Sequence, residues 1–193
     1  MAQPHIVAVI VGSLRKDSVT RKVARAIEAL APETLKFVEV PIGDLPLFNQ
    51  DDEASPPPAY VAFRNRVRSA DAVLFATPEY NRSVPGALKN AIDVGSRPYG
   101  QSAWNGKPAA VVSVSPGALG AFGANHQLRQ SLVFLNMPTL QQPEAYVGNA
   151  FGLFDDNGEL TNEATAEFLR AFGQTFADWI DRHAQSDAER QAA

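Results

Sequence analysis

The chain has 193 residues, 45% of them apolar, a formal charge of −4 and no cysteine. That length and apolar content suffice to bury a core and make a single domain the default, expected over residues 1–183, while a pI near 5.4 argues against a general nucleic-acid or acidic-membrane partner. Lacking cysteine, the chain has no disulfides, thiolate catalysis, iron–sulfur ligation or sulfur-bound zinc. With no window near the ~18 apolar residues of a membrane span and no charged-then-apolar start, a cytoplasmic protein is expected.

Ile6 to Val11 is an unbroken apolar run, as expected of a strand buried on both faces of a parallel sheet. From Val19 the apolar positions Val19, Val23, Ala26, Ile27 and Leu30 recur at helical spacing. The loop between them, Gly12-Ser13-Leu14-Arg15-Lys16-Asp17-Ser18, aims free N–H groups and the positive end of a helix at one place, and so reads as an anion cradle. Ser13 and Ser18 add hydroxyls and Arg15 a bidentate fork. The loop lacks the lysine and second glycine of GxxxxGK(S/T) and the three glycines of GxGxxG, so a terminal monophosphate suits it better than a triphosphate or pyrophosphate. The alternative is an ordinary polar β–α loop with Ser18 as its N-cap.

Thr34 to Val40 is predicted as a second strand, and 41–58 as a long loop with Pro46, Asp51-Asp52-Glu53 and Pro56-Pro57-Pro58, a candidate lid or subunit contact. The acidic run is expected to be solvated rather than metal-binding. Tyr60, Phe63 and Val67 mark a second helix, and Ala72 to Ala76 a third buried strand. At its carboxyl end, where open α/β sheets bind ligands, stand Thr77-Pro78-Glu79-Tyr80-Asn81, and a third helix starts near Pro85. A fourth strand, Ala109 to Val114, ends in Ser115-Pro116-Gly117-Ala118-Leu119-Gly120, whose small residues permit close approach of a flat ligand. The next helix carries Leu128, Leu132 and Leu135, and a short strand near Thr139 and Leu140 is expected to complete the sheet.

Asn157-Gly158 between Phe154 and Leu160 predicts a type I′ hairpin turn, and its neighbours Asp155 and Asp156 do not match a calcium loop. Thr161 is the expected N-cap of a last helix with the apolar stripe Phe168, Phe172, Phe176, Trp179 and Ile180, and residues 184–193 form an expected disordered tail. His5, His126 and His183 show no metal spacing, so no metal site is expected. Strict strand–helix alternation predicts an α/β three-layer sandwich around a five-stranded parallel sheet, with ligand loops after strands one, three and four; this fits the flavodoxin-like order 2-1-3-4-5.

With Gly12-Ser13-Leu14-Arg15 and Ser18, then Pro78-Glu79-Tyr80-Asn81 and Ser83-Val84-Pro85-Gly86-Ala87-Leu88-Lys89-Asn90-Ala91-Ile92-Asp93, the chain strongly resembles the NAD(P)H-dependent FMN reductase family, over roughly Ile6 to Gly148. Gln142-Pro143-Glu144 and Leu128-Arg129-Gln130 resemble its bacterial chromate and quinone reductase branch. The resemblance implies Ser13, Arg15 and Ser18 on the FMN phosphate, with Thr20 where members commonly carry Asn. It implies Pro78, Glu79, Tyr80 and Asn81 along the isoalloxazine, with Ser115 and Gly117 at its other side. It also implies NAD(P)H as co-substrate, two-electron chemistry at flavin N5 without a catalytic side chain, and ping-pong transfer to quinones, flavin, azo compounds or chromate.

The resemblance further implies a homodimer or homotetramer, with the helix from Pro85 to Val94 at a subunit boundary and His126 and Glu144 at a tetramer contact; the alternative for His126 is a surface or packing residue. On that helix the Lys89 to Asp93 spacing runs in the weaker order for an ion pair. Arg82, beside the expected ring site, reads as an exposed surface arginine, with steering of a cofactor phosphate as the alternative. The rival reading is a flavodoxin-type one-electron carrier holding FMN, against which Arg15 and the mild acidity speak. A non-catalytic nucleotide-binding protein on the same fold is the third.

Overall fold

The computed structural model describes residues 3–192, the side chains of 185–192 excepted, so the tail expected at 184–193 lies outside the fully described residues. Five strands form one sheet in the order β2-β1-β3-β4-β5: β1 (His5–Val11), β2 (Leu35–Glu39), β3 (Ala72–Thr77), β4 (Ala109–Val114) and β5 (Ala145–Val147), every neighbouring pair parallel. The helices are α1 (Val19–Leu30), α2 (Pro58–Arg68), α3 (Gly86–Gly95), α4 (Phe122–Phe134) and α5 (Glu163–Ala192). This is the expected flavodoxin-like sandwich.

Alternation along the strands builds both layers. Val7, Val9, Val11, Leu74, Val112 and Val114 face Val23 and Ile27 of α1 and Phe172, Phe176 and Ile180 of α5. The intervening Ala8, Ile10, Val73, Phe75 and Val111 face Phe63 and Val67 of α2, Leu88 and Ile92 of α3, and Leu128 and Leu132 of α4. A strand buried on both faces needs apolar residues at every position, which is why the β1, β3 and β4 runs were legible.

Three local expectations change. Thr139 makes only one bridge, to Ala109, and the fifth strand is Ala145–Val147, paired with Val112–Val114. Pro138 and Pro143 flank the expected segment and carry no N–H to donate to a ladder, so the chain leaves the sheet and returns further along β4. The 154–160 hairpin is no type I′ turn. Gly158 alone has positive φ (86°), its N–H donates to the Asp155 carbonyl, and Asp155 Oδ1 accepts from Asn157 and Glu159, so a type I turn is followed by a left-handed glycine. Asn162, rather than Thr161, caps α5, accepting the Thr165 N–H at 2.9 Å, while Thr161 donates to the Leu153 carbonyl.

The long 41–58 loop is strapped to α3. Buried Asn90 accepts the Phe48 N–H (2.8 Å) and donates to the carbonyls of Leu45 and Pro46, and the Tyr60 hydroxyl donates to Leu47. The expected solvation of the acidic run fails at Glu53, which pairs with Arg97 within a 3-10 turn over Gln50–Ala54; Arg97 holds its carboxyl below the ordinary range. Lys89 and Asp93 do pair, at 2.6 Å, in spite of their order.

Candidate active site

The carboxyl ends of β1, β3 and β4 open on a cavity of about 230 Å³. Ser13, Arg15, Ser18 and Thr20 line it from the first loop, Pro78, Glu79 and Tyr80 from the second, and Ser115 from the third. Asn81 and Gly117 sit in the same loops but outside the lining. The sequence reading missed Val19, Val114, Pro116 and Phe151, which complete the wall. Phe151 was invisible because it arrives through the re-routed β5, in a 3-10 turn over Ala150–Leu153.

The first loop is built to offer donors. Ser18 caps α1, its hydroxyl oxygen accepting the Arg21 N–H at 3.2 Å while its proton stays available. Ser13 and Thr20 are 3% and 1% exposed, yet their hydroxyls have no partner among the described residues. The backbone N–H groups of residues 13–17, 19 and 20 likewise meet no acceptor among the described residues. Arg15 is exposed at the rim. Gly12 lets the turn pass close, since a Cβ there would stand 3.1 Å from Leu88 and 3.3 Å from Pro78.

The second loop is a tight hairpin. Tyr80 and Ser83 exchange both backbone hydrogen bonds at 3.0 Å, and Asn81 and Arg82 both have positive φ (52° and 65°), the type I′ geometry expected elsewhere. The carboxylate of Glu79 turns away, accepting the Ala124 N–H at 3.0 Å in the first turn of α4. Gln127 pins the hairpin further, accepting from the Ser83 hydroxyl and donating to the Arg82 carbonyl. Tyr80 spends its N–H on Ser83, whereas those of Glu79 and Asn81 have no acceptor among the described residues. Arg82 is 80% exposed, its guanidinium 3.6 Å from Glu79.

The third loop rests on a buried polar chain that the sequence reading also missed. Ser113, fully buried in β4, donates to the Gly120 carbonyl at 2.7 Å and accepts from Asn125, whose Oδ1 accepts from Arg129. Ser113 interrupting the apolar β4 run was the available signal. Ser115 commits its N–H to Val147 and its hydroxyl to the Gly117 carbonyl, leaving the Gly117 N–H unclaimed among the described residues. Behind this loop the His126 ring packs tilted against Phe122, centroids 4.2 Å apart, and meets the Tyr146 hydroxyl at 3.0 Å. Burial and the nearby Glu144 carboxylate push the Tyr146 phenol up to about 12.

One end of the cavity thus gathers unclaimed donors, and the other is walled by Pro78, Glu79, Tyr80 and Ser115, whose side-chain and backbone bonds hold the second and third loops in place.

Residues 6–152 match the family model described as NADPH-dependent FMN reductase. A quinone reductase of Pseudomonas putida is 66% identical over 181 residues, 93% of this chain and 97% of that protein. A 2-hydroxy-1,4-benzoquinone reductase of a Burkholderia species is 43% identical over 90% of this chain and 95% of its own length. The solved structure of FerB, a flavoenzyme NAD(P)H:(acceptor) oxidoreductase from Paracoccus denitrificans, superposes with a TM-score of 0.88 at 45% identity, covering 93% of this chain and 98% of that one. The residues present fit FMN: the Ser13 and Thr20 hydroxyls and the N–H groups at the start of α1, without acceptors or partners among the described residues, suit a terminal phosphate, and the wall between Tyr80 and Ser115 suits a flat ring. The chain therefore belongs to the NADPH-dependent FMN reductase family, and is an oxidoreductase that works with FMN and takes its electrons from NAD(P)H.

Proposed function

We propose that this protein is an NAD(P)H:quinone oxidoreductase that works by a ping-pong mechanism at the cavity between its first, second and third loops. The carrying observation is that cavity, where the hydroxyls of Ser13 and Thr20, without partners among the described residues, meet a wall formed by Pro78 to Tyr80 and Ser115. The quinone reductase of Pseudomonas putida, 66% identical, supports the acceptor class; free flavin, azo compounds and chromate are further acceptors of the same reading.

FMN, when bound, would supply two-electron redox chemistry between NAD(P)H and the acceptor. The protein binds and orients. Ser13, Ser18 and Thr20 donate hydroxyl hydrogen bonds to the phosphate, with Arg15 closing on it from the rim. The N–H groups of Glu79, Asn81 and Gly117 offer preorganised donors to negative charge developing beside them. Glu79 keeps its hairpin in place from the start of α4, and no side chain acts as a general acid or base. Tyr80 and Phe151, 47% and 61% exposed, present aromatic faces at the entrance to incoming planar molecules.

A second copy of the chain is proposed to seat on the groove between α3 and α4, about 820 Å³, beside the exposed Val133 and Phe134, giving a homodimer or homotetramer. Among the described residues no helix is long and apolar enough to cross a membrane, in keeping with the proposed cytoplasmic location. The test is anaerobic stopped-flow reduction of the yellow protein by NADH and by NADPH, followed by reoxidation with a quinone panel. Bleaching within seconds and parallel double-reciprocal lines are expected. Colourless protein that takes up no added FMN, or flavin that no quinone reoxidises, refutes the proposal.

A further inference from the structure

The cradle's donors do not orient themselves. Arg21, third residue of α1, is outside the cavity lining, yet its guanidinium holds the loop's backbone. Nη1 donates to the Arg15 carbonyl at 3.1 Å, Nη2 to the Ser13 carbonyl at 3.3 Å, and Nε to Glu39 Oε1 at 3.0 Å, where Glu39 closes β2. The side chain is 22% exposed and its carboxylate partner 40%, so the fork is half-sheltered.

In a planar trans peptide the C=O and the following N–H point opposite ways. Drawing the Ser13 and Arg15 oxygens toward Arg21 turns the N–H groups of Leu14 and Lys16 away from it. Neither N–H has an acceptor among the described residues, and Ser13 and Arg15 line the cavity that Arg21 does not reach. A guanidinium holds two carbonyls and a carboxylate through donors fixed in one plane and spread over three nitrogens, whereas a lysine ammonium brings its donors to a single point on a flexible stem.

We propose that Arg21, braced by Glu39, is a positioning residue for the flavin phosphate: it sets the peptide orientation of residues 13–16 so that their N–H groups converge on the anion. This rests on the FMN reading above. It acts through the backbone and touches no reacting atom.

The test compares FMN with riboflavin, which lacks the phosphate, by flavin fluorescence titration of flavin-stripped wild type, Arg21→Ala, Arg21→Lys and Glu39→Gln. Arg21→Ala is expected to weaken FMN about tenfold to a hundredfold, the scale of lost hydrogen bonds from a charged donor, and to leave riboflavin unchanged. Arg21→Lys should recover only a small part of that loss, and Glu39→Gln should weaken FMN severalfold. Should Arg21→Ala not fold, the lysine and glutamine variants carry the test alone. Equal weakening of both flavins would reduce Arg21 to a fold-stabilising residue, and full rescue by lysine would show that charge alone suffices; either result overturns the proposal. Unchanged FMN affinity in every variant overturns it too, while the function stands. A wild type that binds FMN no tighter than riboflavin instead refutes the phosphate reading underneath it.

Discussion

Gly148 stands where β5 ends and the chain turns under the third loop. A Cβ at this position would lie 2.5 Å from the Ala118 carbonyl oxygen, 2.9 Å from its carbon and 3.0 Å from the Gly117 oxygen. All three are backbone atoms, so no side chain can rotate aside. The loop is tied down on either side, by the Asn149 N–H to Gly117 (3.2 Å) and the Ala150 N–H to Ser115 (3.1 Å). Gly148→Ala must therefore push residues 117–118 outward by roughly 1 Å, and overpacking of this kind costs about 1–3 kcal/mol. At about 2–4 °C per kcal/mol for a chain of this size, a cost of about 2 kcal/mol lowers Tm by about 4–8 °C. Because the displaced loop borders the ring end of the cavity, FMN and riboflavin should weaken together. Gly152→Ala is the control: nothing lies within 4 Å of its Cβ, and the lost chain entropy of glycine makes it neutral or slightly stabilising. Differential scanning calorimetry and flavin titration on both variants check this. A Gly148→Ala protein with wild-type Tm and wild-type affinity for both flavins would refute the packing argument.

Removing the rim cation by Arg15→Ala should weaken FMN by about tenfold or more and leave riboflavin untouched, since a hydrogen bond to a charged group is worth about 1.5–3 kcal/mol; unchanged FMN retention would show that Arg15 does not reach the phosphate. Asn90→Ala strips three bonds from the 45–48 strap and takes the side-chain partner from the Phe48 N–H and the Leu45 carbonyl, while the Pro46 carbonyl keeps the Tyr60 hydroxyl, so about 2–3 kcal/mol of stability and faster proteolysis within 41–58 are expected. Equal cleavage rates would show that the strap is held elsewhere. Tyr146, with its phenol raised to about 12, keeps its proton in the folded state where the unfolded chain loses it. Its contribution is complete below an ordinary tyrosine pKa of about 10 and is lost as pH climbs from there to about 12. In an ultraviolet phenolate titration Tyr146→Phe should delete a late step, and its persistence would contradict the assignment.

Patterns between near neighbours were legible without coordinates, because local chemistry decides them. The apolar runs of β1, β3 and β4 and the helical spacing of α1 each express a rule acting over a few residues, and the Ser18 cap named with the polar-loop alternative is present; strand–helix alternation then fitted the strand order. Most of the candidate site was legible for the same reason, since three strands ending at one sheet edge bring their following loops together whatever the details.

What escaped was decided by contacts far apart along the chain. Arg21 meets Glu39 across 18 residues, Glu79 reaches Ala124 across 45, and Asn90 holds Phe48 across 42, with no spacing rule to announce them. The fifth strand depends on which segment finds free donors and acceptors along β4, a choice made in space after the prolines withdraw theirs, and Phe151 enters the cavity only because of it. The sequence alone determined that a polar loop, Gly12 to Ser18, tops a parallel sheet between its first strand and first helix. Only the tertiary structure decided which side chains meet that loop, Arg21 on the Ser13 and Arg15 carbonyls and on Glu39 among them, because such partners are set by folding and not by adjacency.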